Sequence, residues 1–464
     1  MDTPELEGEE KLREVTRLLS LLKADLEQKT LQTSRRIETL QKLRVHGRKT
    51  DNADPIYRKE GLDLLATIGF GDKDPAVYRE ALRCLANALL LQPDTRQIFV
   101  DIGNGPKLAE LLKEDNSEDE FLASRLLFLM TYDSNLDFNI LFDNHELGES
   151  INNHIHRHSK QFSKGKKKLS NMDELALSET LKLMFNITNF YPHLVEAFSP
   201  SIPTILKILS SIDIPTPPLQ APVNYLINSL LNLDLENKKS KTFGTNPLFP
   251  KLDQNGNVDK LINILDQAVA MHKPAQLEIL AVPLLTLLRK IYSFAPEGPK
   301  KYMEWLLLPE EDDRDLPIGQ SNTLSSRLLR LSTSPVAPKL REGISALMFE
   351  LSGSDANDFV RNVGYGFAAG FLMSHDLAIP ESAKEAYSTN PAKPGEHNVP
   401  VNPVTGQRLD KEPQDTGPEM TEEEKEREAE RLFVLFERLR ATGVVNVENP
   451  VKTALDQGRF EELD

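Results

Sequence analysis

The sequence predicts an all-α protein, and three observations carry that reading. From Leu6 to about Leu377, apolar residues recur at 3.6-residue spacing among Ala, Glu, Lys and Arg, with Pro and Asn as punctuation. Alternating strand patterns are missing, and the hairpin-type dipeptide Asn255-Gly256 is flanked by polar residues. A short pattern then repeats. Leu82-Arg-Cys-Leu85-Ala-Asn87, Leu181-Lys-Leu-Met184-Phe-Asn186 and Ile227-Asn-Ser-Leu230-Leu-Asn232 all read apolar-x-x-apolar-x-Asn, with degenerate copies at 126–131, 284–289 and 344–349. The starts are separated by 44, 55, 46, 57 and 60 residues, close to the roughly 40–47 of armadillo or HEAT units with loop insertions. The fold class is therefore an armadillo/HEAT-type α-solenoid, in which the 464 residues form one stacked body and not the three domains their length suggests.

Elements follow in order. Residues 1–380 read as the helical repeat domain. Within it, residues 152–170 are expected as a loop containing His154, His156, His158 and the run Lys164-Gly-Lys-Lys-Lys168. Thr216-Pro-Pro218 and residues 237–256 are further connectors, and Glu310-Glu-Asp-Asp313 is expected as a solvated acidic loop. Residues 381–418, rich in Pro, Asn, Ser and Gly, read as a flexible linker that contains Asn402-Pro-Val-Thr-Gly406. A helix resumes over 419–443, with Thr421 as N-cap and Glu424 closing a capping box. Leu432, Phe433, Phe436 and Leu439 share one apolar stripe on it, acids crowd its first turns and Arg438 and Arg440 its last. Residues 444–464 form a C-terminal tail.

Composition removes several function classes. Hydrophobic residues are 39% and charged residues 27% of the chain, ordinary for a folded soluble protein. One cysteine, Cys84, excludes an intramolecular disulfide and a Cys-rich zinc site. Apolar runs such as 279–288 are too short to span a bilayer, and the acidic N-terminus lacks the apolar core of a secretory signal. A net charge of −16 argues against nucleic acid or anionic lipid as the main partner. Of that charge, residues 381–464 hold 19 acids against 11 bases, a net of −8.

Catalytic signatures fail on spacing. Gly364-Tyr-Gly366-Phe-Ala-Ala-Gly370 is GxGxxxG without a preceding strand, so it reads as close packing by small residues. The three alternating histidines beside a Lys-rich run read as a loop and not as a metal site. Cys84 sits between Leu82 and Leu85 as a core thiol. No catalytic residue, metal or cofactor is assigned, and the protein is expected to act by binding.

The binding face is built from the repeats. An Asn side chain donates and accepts at once, which suits a peptide main chain offering both groups. Arg83 precedes Asn87 by one helical turn, Lys182 precedes Asn186 and Asn228 precedes Asn232. These six residues form the candidate groove, a cradle of amides and cations for a peptide ending in a carboxylate. The competing reading has Asn87, Asn186 and Asn232 tying neighbouring loops together.

Several patches resemble the synembryn family, also called resistance to inhibitors of cholinesterase. They are Ala81-Leu-Arg-Cys-Leu-Ala-Asn87, Arg125-Leu-Leu-Phe-Leu-Met-Thr131, Leu181-Lys-Leu-Met-Phe-Asn-Ile-Thr188 and the glycine-rich Phe359-Val-Arg-Asn-Val-Gly-Tyr-Gly-Phe-Ala-Ala-Gly370. The tail adds Asn402-Pro-Val-Thr-Gly406 and Met420-Thr-Glu-Glu-Glu-Lys-Glu-Arg-Glu-Ala-Glu430 in the family's order. The resemblance implies a cytosolic, monomeric, non-receptor guanine nucleotide exchange factor and folding chaperone for heterotrimeric G-protein α subunits. It implies that the partner is GDP-bound or nucleotide-free and that its C-terminal helix lies in the concave groove, with Asn87 at a position that meets it. The tail, through Leu432, Phe433, Phe436 and Leu439, is implied to reach the nucleotide-binding domain, and the G protein to recruit the chain to the cell cortex. Two departures stand out. The basic pair that animal members carry one repeat earlier is missing from Leu65-Ala-Thr-Ile-Gly-Phe70, which shifts carboxylate capture to Arg83 and Lys182. Tyr387-Ser-Thr-Asn-Pro391 lacks the acids that flank a phosphorylated stretch in those relatives. The alternative is a generic armadillo peptide adaptor. Such grooves pair their asparagines with tryptophans, whereas Trp305 is the one tryptophan here and lies far from the Asn repeats.

Overall fold

The computed structural model describes residues 6–162, 168–236, 245–378, 401–402, 404–412, 421, 423–425, 427–428, 430–431 and 433–434. It divides the chain into two units, residues 1–410 and 411–464. The described residues of unit one form α-helices and short 3-10 helices joined by turns and loops. Its one β feature among the described residues is an isolated antiparallel bridge between Val401 and Arg408.

The sequence repeat is the spine of unit one. Thr33–His46, Pro75–Leu91, Ser117–Leu129, Asn171–Phe190, Val223–Asn232, Val282–Phe294 and Pro338–Leu351 are helices that stack in that order, each on the next. Every copy of the six-residue pattern begins in the last six of these. The two apolar positions of each copy are sealed: Leu82, Leu85, Leu126, Leu181, Met184, Leu230, Leu284, Leu287 and Ile344 are fully buried. A second row backs the first, running from Leu147–Phe162 through Ser201–Ser211 and Gly256–Met271 to Leu324–Leu331. Two layers of helices around one continuous core follow, as the α-solenoid class requires. Local signals agree: Asp74, Asn116, Ser170 and Thr323 each cap a helix with a side-chain oxygen.

Three expectations need correction. Residues 152–170 are not a loop from their start, because Leu147–Phe162 is a helix. Leu147, Ile151, Ile155 and Phe162 recur at helical spacing on its buried side, and His154 and His158 join them one turn apart while His156 faces outward. The Lys-rich positions 163–167 lie outside the described residues. The acidic 310–313 stretch is not wholly solvated. Asp313 is buried, and its carboxylate accepts hydrogen bonds from Ser321, Thr323 and Ser325. Burial would raise the Asp313 carboxyl, but these hydroxyl donors hold it below the usual range. Finally, part of the expected linker is built into unit one. Residues 401–402 and 404–408 are tied to the stretch that precedes the Leu324–Leu331 helix, with Ile318 N–H donating to Thr405 O at 2.9 Å and Arg408 N–H donating to Arg314 O at 2.8 Å. Residues 379–400 and 413–420 lie outside the described residues.

In unit two, Glu424 accepts the Thr421 backbone N–H at 3.0 Å, the returning half of the expected capping box, and the described residues from 423 to 434 are helical.

Candidate partner-binding face

Stacking puts equivalent positions of successive repeats side by side, so one charge pattern is made twice. Glu80 is buried and pairs with Arg44 of the preceding row helix at 2.7 Å and with Arg83 of its own at 3.1 Å. About one hundred residues on, Glu179 is buried and pairs with Arg125 of the preceding row helix at 2.9 Å and with Lys182 of its own at 2.8 Å. A buried carboxylate thus holds each predicted groove cation in place, leaving its side chain 30% exposed for Arg83 and 23% for Lys182.

The two copies differ in balance. Arg83 also reaches Glu118 at 3.1 Å, and Glu118 and Asp119 are bound in turn by Arg79. That network sets Arg44, Arg79 and Arg83 against Glu80, Glu118 and Asp119, and it is neutral. In the second copy, among the described residues, Arg125 and Lys182 share the single carboxylate Glu179, so one positive charge is left over there. The Lys182 ammonium lies 4.9 Å from the Tyr225 ring centroid and 5.7 Å from that of Phe128, both cation–π distances. Phe128, Tyr132 and Phe190 continue as an edge-to-face chain with centroids 5.5 and 6.1 Å apart, and Tyr132 and Phe190 are exposed.

The amides divide into two groups. Asn186 is buried and its Nδ2 donates to Thr131 Oγ1 at 2.7 Å. Asn232 Nδ2 donates to Phe185 O at 3.3 Å and Thr188 Oγ1 at 3.2 Å. Both amides thus bond within the stack, Asn186 to Thr131 just past the Ser117–Leu129 helix and Asn232 to the Asn171–Phe190 helix. Asn87 and Asn228 are half-buried, and their side chains make no hydrogen bond with any described residue. On the tail, Phe433 is half-buried, while Leu432, Phe436 and Leu439 lie outside the described residues.

Sequence reasoning did not select Arg125, Tyr132, Phe190 or Tyr225. Arg125 stands beside the repeat's first apolar residue, and its partner Glu179 lies on the next row helix, so its signal was long-range. Tyr132 and Phe190 fall just past the ends of the motif, where a large apolar residue at a helix terminus was the available hint.

A further cluster lies beneath this face. Glu120 is fully buried and accepts from His158 Nε2 at 2.9 Å, from Thr180 Oγ1 at 2.7 Å and from Arg157. His154 stands 3.3 Å from it through Nδ1 and donates through Nε2 to Leu112 O at 2.6 Å. Burial alone would raise the Glu120 carboxyl, but the hydrogen bonds and charges of His154 and His158 hold it far below the usual range. Among the described residues no group of three or more His, Cys, Asp or Glu side chains is arranged to hold a metal ion.

Helices stacked in repeating order around one core make a helical-repeat scaffold. The family model described as guanine nucleotide exchange factor synembryn matches residues 39–459, and the chain belongs to that family. Chaperone Ric-8A of Pongo abelii is 26% identical over 477 residues, covering 92% of this chain and 85% of that protein. A synembryn-like chaperone of Schizosaccharomyces pombe is 30% identical over 185 residues, 38% of this chain and 34% of that protein. Chaperone Ric-8A of Xenopus tropicalis is 30% identical over 231 residues, 47% of this chain and 41% of that protein. The protein is an exchange factor and chaperone of this family, with G-protein α subunits as its partner kind.

Proposed function

We propose that the row-helix face grips the C-terminal helix of the α subunit and that the chain stabilises the nucleotide-free state by binding alone, without bond chemistry. The observation that carries this reading is the uncompensated cation at Arg125 and Lys182, set among exposed aromatics and within the row that presents Asn87 and Asn228. A helix ending in a free carboxylate matches it, with apolar side chains on Tyr132 and Phe190 and main-chain groups on the amides. A charge-assisted hydrogen bond to such a carboxylate is worth about 1.5–3 kcal/mol.

One contact is not enough for exchange. A nucleotide held at nanomolar affinity contributes about 12 kcal/mol, much of which the exchange factor must offset. A single helix in a groove falls short of the roughly 1,600 Å² of a standard interface. The tail helix beginning at Thr421 supplies the second contact, on the nucleotide-binding domain. Coupling is reciprocal, so GDP weakens this complex as much as the complex weakens GDP. Chaperone and exchange activities rest on the same preference for the empty α subunit. The chain works as a monomer in the cytoplasm and reaches the cell cortex through its G protein. Among the described residues no helix is long and apolar enough to cross a membrane.

The test is GTP-analogue uptake by a purified, folded α subunit. Deleting residues 419–464 should abolish the stimulated uptake while a peptide from the C-terminus of the α subunit still binds. Unchanged nucleotide release by the deletion would remove the tail from the mechanism.

A further inference from the structure

The two interfaces on either side of the Ser117–Leu129 helix are fixed in different ways. Towards the Pro75–Leu91 helix, Arg79 grips Asp119 at two points, Nε on Oδ1 and Nη2 on Oδ2, both at 2.7 Å. Such a two-point pair sets distance and orientation together. Towards the Asn171–Phe190 helix the ion pair is looser. Arg125 and Lys182 both meet Glu179 at Oε1, and its buried Oε2 makes no hydrogen bond with a described residue. A carboxylate held through one oxygen can pivot, so this pair does not fix its own geometry.

Beside it, the same interface holds a buried chain of hydroxyls. Thr180 Oγ1 donates to Glu120 Oε1 at 2.7 Å. Its one proton is then committed, which leaves Ser124 Oγ, 3.0 Å away, as the donor to Thr180. Glu120 and Ser124 belong to the Ser117–Leu129 helix and Thr180 to the Asn171–Phe190 helix, and all three are fully buried. Ser124 immediately precedes Arg125, and Thr180 immediately follows Glu179. The chain therefore links the two helices one residue away from the ion pair on each side. Apolar contacts are non-directional and tolerate a small slide of one helix on another. Hydrogen bonds weaken steeply once distance and angle leave their range, so they resist it.

We propose that Thr180 is a positioning residue for partner binding: its hydroxyl, bonded to Glu120 and Ser124, fixes the register that brings Arg125 and Lys182 onto one oxygen of Glu179. The proposal rests on the carboxylate-capture reading above and adds what keeps the surplus charge in place. If the two helices slide, Arg125 leaves Glu179. Lys182 and Glu179 then balance as a simple pair, and the surplus no longer sits beside the Tyr225 ring. Thr180 is sealed inside the stack and touches no partner, so it acts through Arg125.

The experiment uses the full chain in four variants. Thr180→Val keeps the shape and removes the hydroxyl, Ser124→Ala removes the other end of the chain, and Thr180→Ser restores the hydroxyl. Leu347→Ala, in the buried core of the Pro338–Leu351 helix, is destabilised in a different repeat. One readout is the affinity ratio of a peptide from the C-terminus of the α subunit, as free acid against carboxamide. The other is the coupling between Arg125→Met and Glu179→Gln in the unfolding midpoint. Thr180→Val should lower the ratio from about tenfold to about twofold or less and abolish the coupling. Ser124→Ala should lower both in part, whereas Thr180→Ser and Leu347→Ala should keep both. A retained coupling in Thr180→Val overturns the proposal. So does a retained ratio beside a lost coupling, or a ratio in Leu347→Ala as low as in Thr180→Val. Should Thr180→Val not fold, an unchanged ratio and coupling in Ser124→Ala overturn it instead. If the parent itself shows no preference for the free acid, the carboxylate reading fails, while the coupling still decides whether Thr180 holds Arg125 on Glu179.

Discussion

Asn186 donates to Thr131 Oγ1 at 2.7 Å, joining equivalent positions of two successive repeats. The same motif position in the first copy, Asn87, has no such partner among the described residues. One motif therefore serves two ends. Replacing Asn186 with Ala should lower stability by about 1–2 kcal/mol, since Thr131 loses its partner within the stack. Peptide affinity should change less than about twofold. Asn87→Ala should do the reverse, leaving the unfolding midpoint in place and weakening a peptide from the C-terminus of the α subunit about three- to tenfold. Thermal unfolding and fluorescence anisotropy on the two variants check both halves.

The Glu120 cluster makes stability depend on acid. Its carboxyl is held below the ordinary value of 4.5 in the folded chain, against the pull of burial, by His154 and His158. A depressed carboxyl contributes stability that is fully present above the unfolded value and lost as pH falls through the folded one. Glu120→Gln removes the buried carboxylate that faces His154, His158 and Arg157 and should cost about 3–5 kcal/mol near pH 5.5. The gap between variant and parent should narrow towards about pH 3. A gap that stays constant between those pH values would show that the Glu120 charge does not hold the cluster.

Cys84 is inert while the chain is folded. Its thiol is buried and points at Leu40 O, 3.5 Å away, and burial followed by the nearby Glu80 charge pushes it well above the usual thiol range. A thiolate-seeking reagent at about pH 8 should label no cysteine in the native protein and one per chain in denaturant. Rapid native labelling would show that the Thr33–His46 and Pro75–Leu91 helices separate locally.

The solenoid was legible because its signal is local and repeated. Leu82 and Leu85, or Leu181 and Met184, mark the buried side of a helix wherever the pattern occurs, and loops of unequal length do not erase it. The His154 helix was not legible as a helix, because two of its inward positions hold histidines whose partner Glu120 lies on another helix. The packing of Val404 and Gly406 on unit one was hidden for a different reason. Several of its contacts run backbone to backbone, Thr405 O to Ile318 N and Val404 O to Gly366 N, and no side-chain pattern in the sequence marks them. For the candidate site, Arg83 and Lys182 followed from one-turn spacing to an asparagine. Which of them has charge to spare depends on Glu118 and Arg125, reached only through stacking.

That difference yields the sharpest test of the face. Arg83 belongs to a network of three cations and three carboxylates, whereas among the described residues Lys182 and Arg125 share Glu179 alone. A partner carboxylate arriving at Arg83 would compete with Glu80 and Glu118, each already within 3.1 Å. Arriving at Lys182, it would complete the balance, and the ammonium stays oriented by the Tyr225 ring while it binds. A peptide with a free C-terminus should therefore bind the parent chain more tightly than its carboxamide, by about tenfold if the contact is worth the low end of a charge-assisted bond. Lys182→Met should erase most of that preference, and added salt should erode it in the parent. Arg83→Met should leave the preference in place. If Arg83→Met removes it and Lys182→Met does not, the carboxylate lies nearer the N-terminus than the charge balance places it.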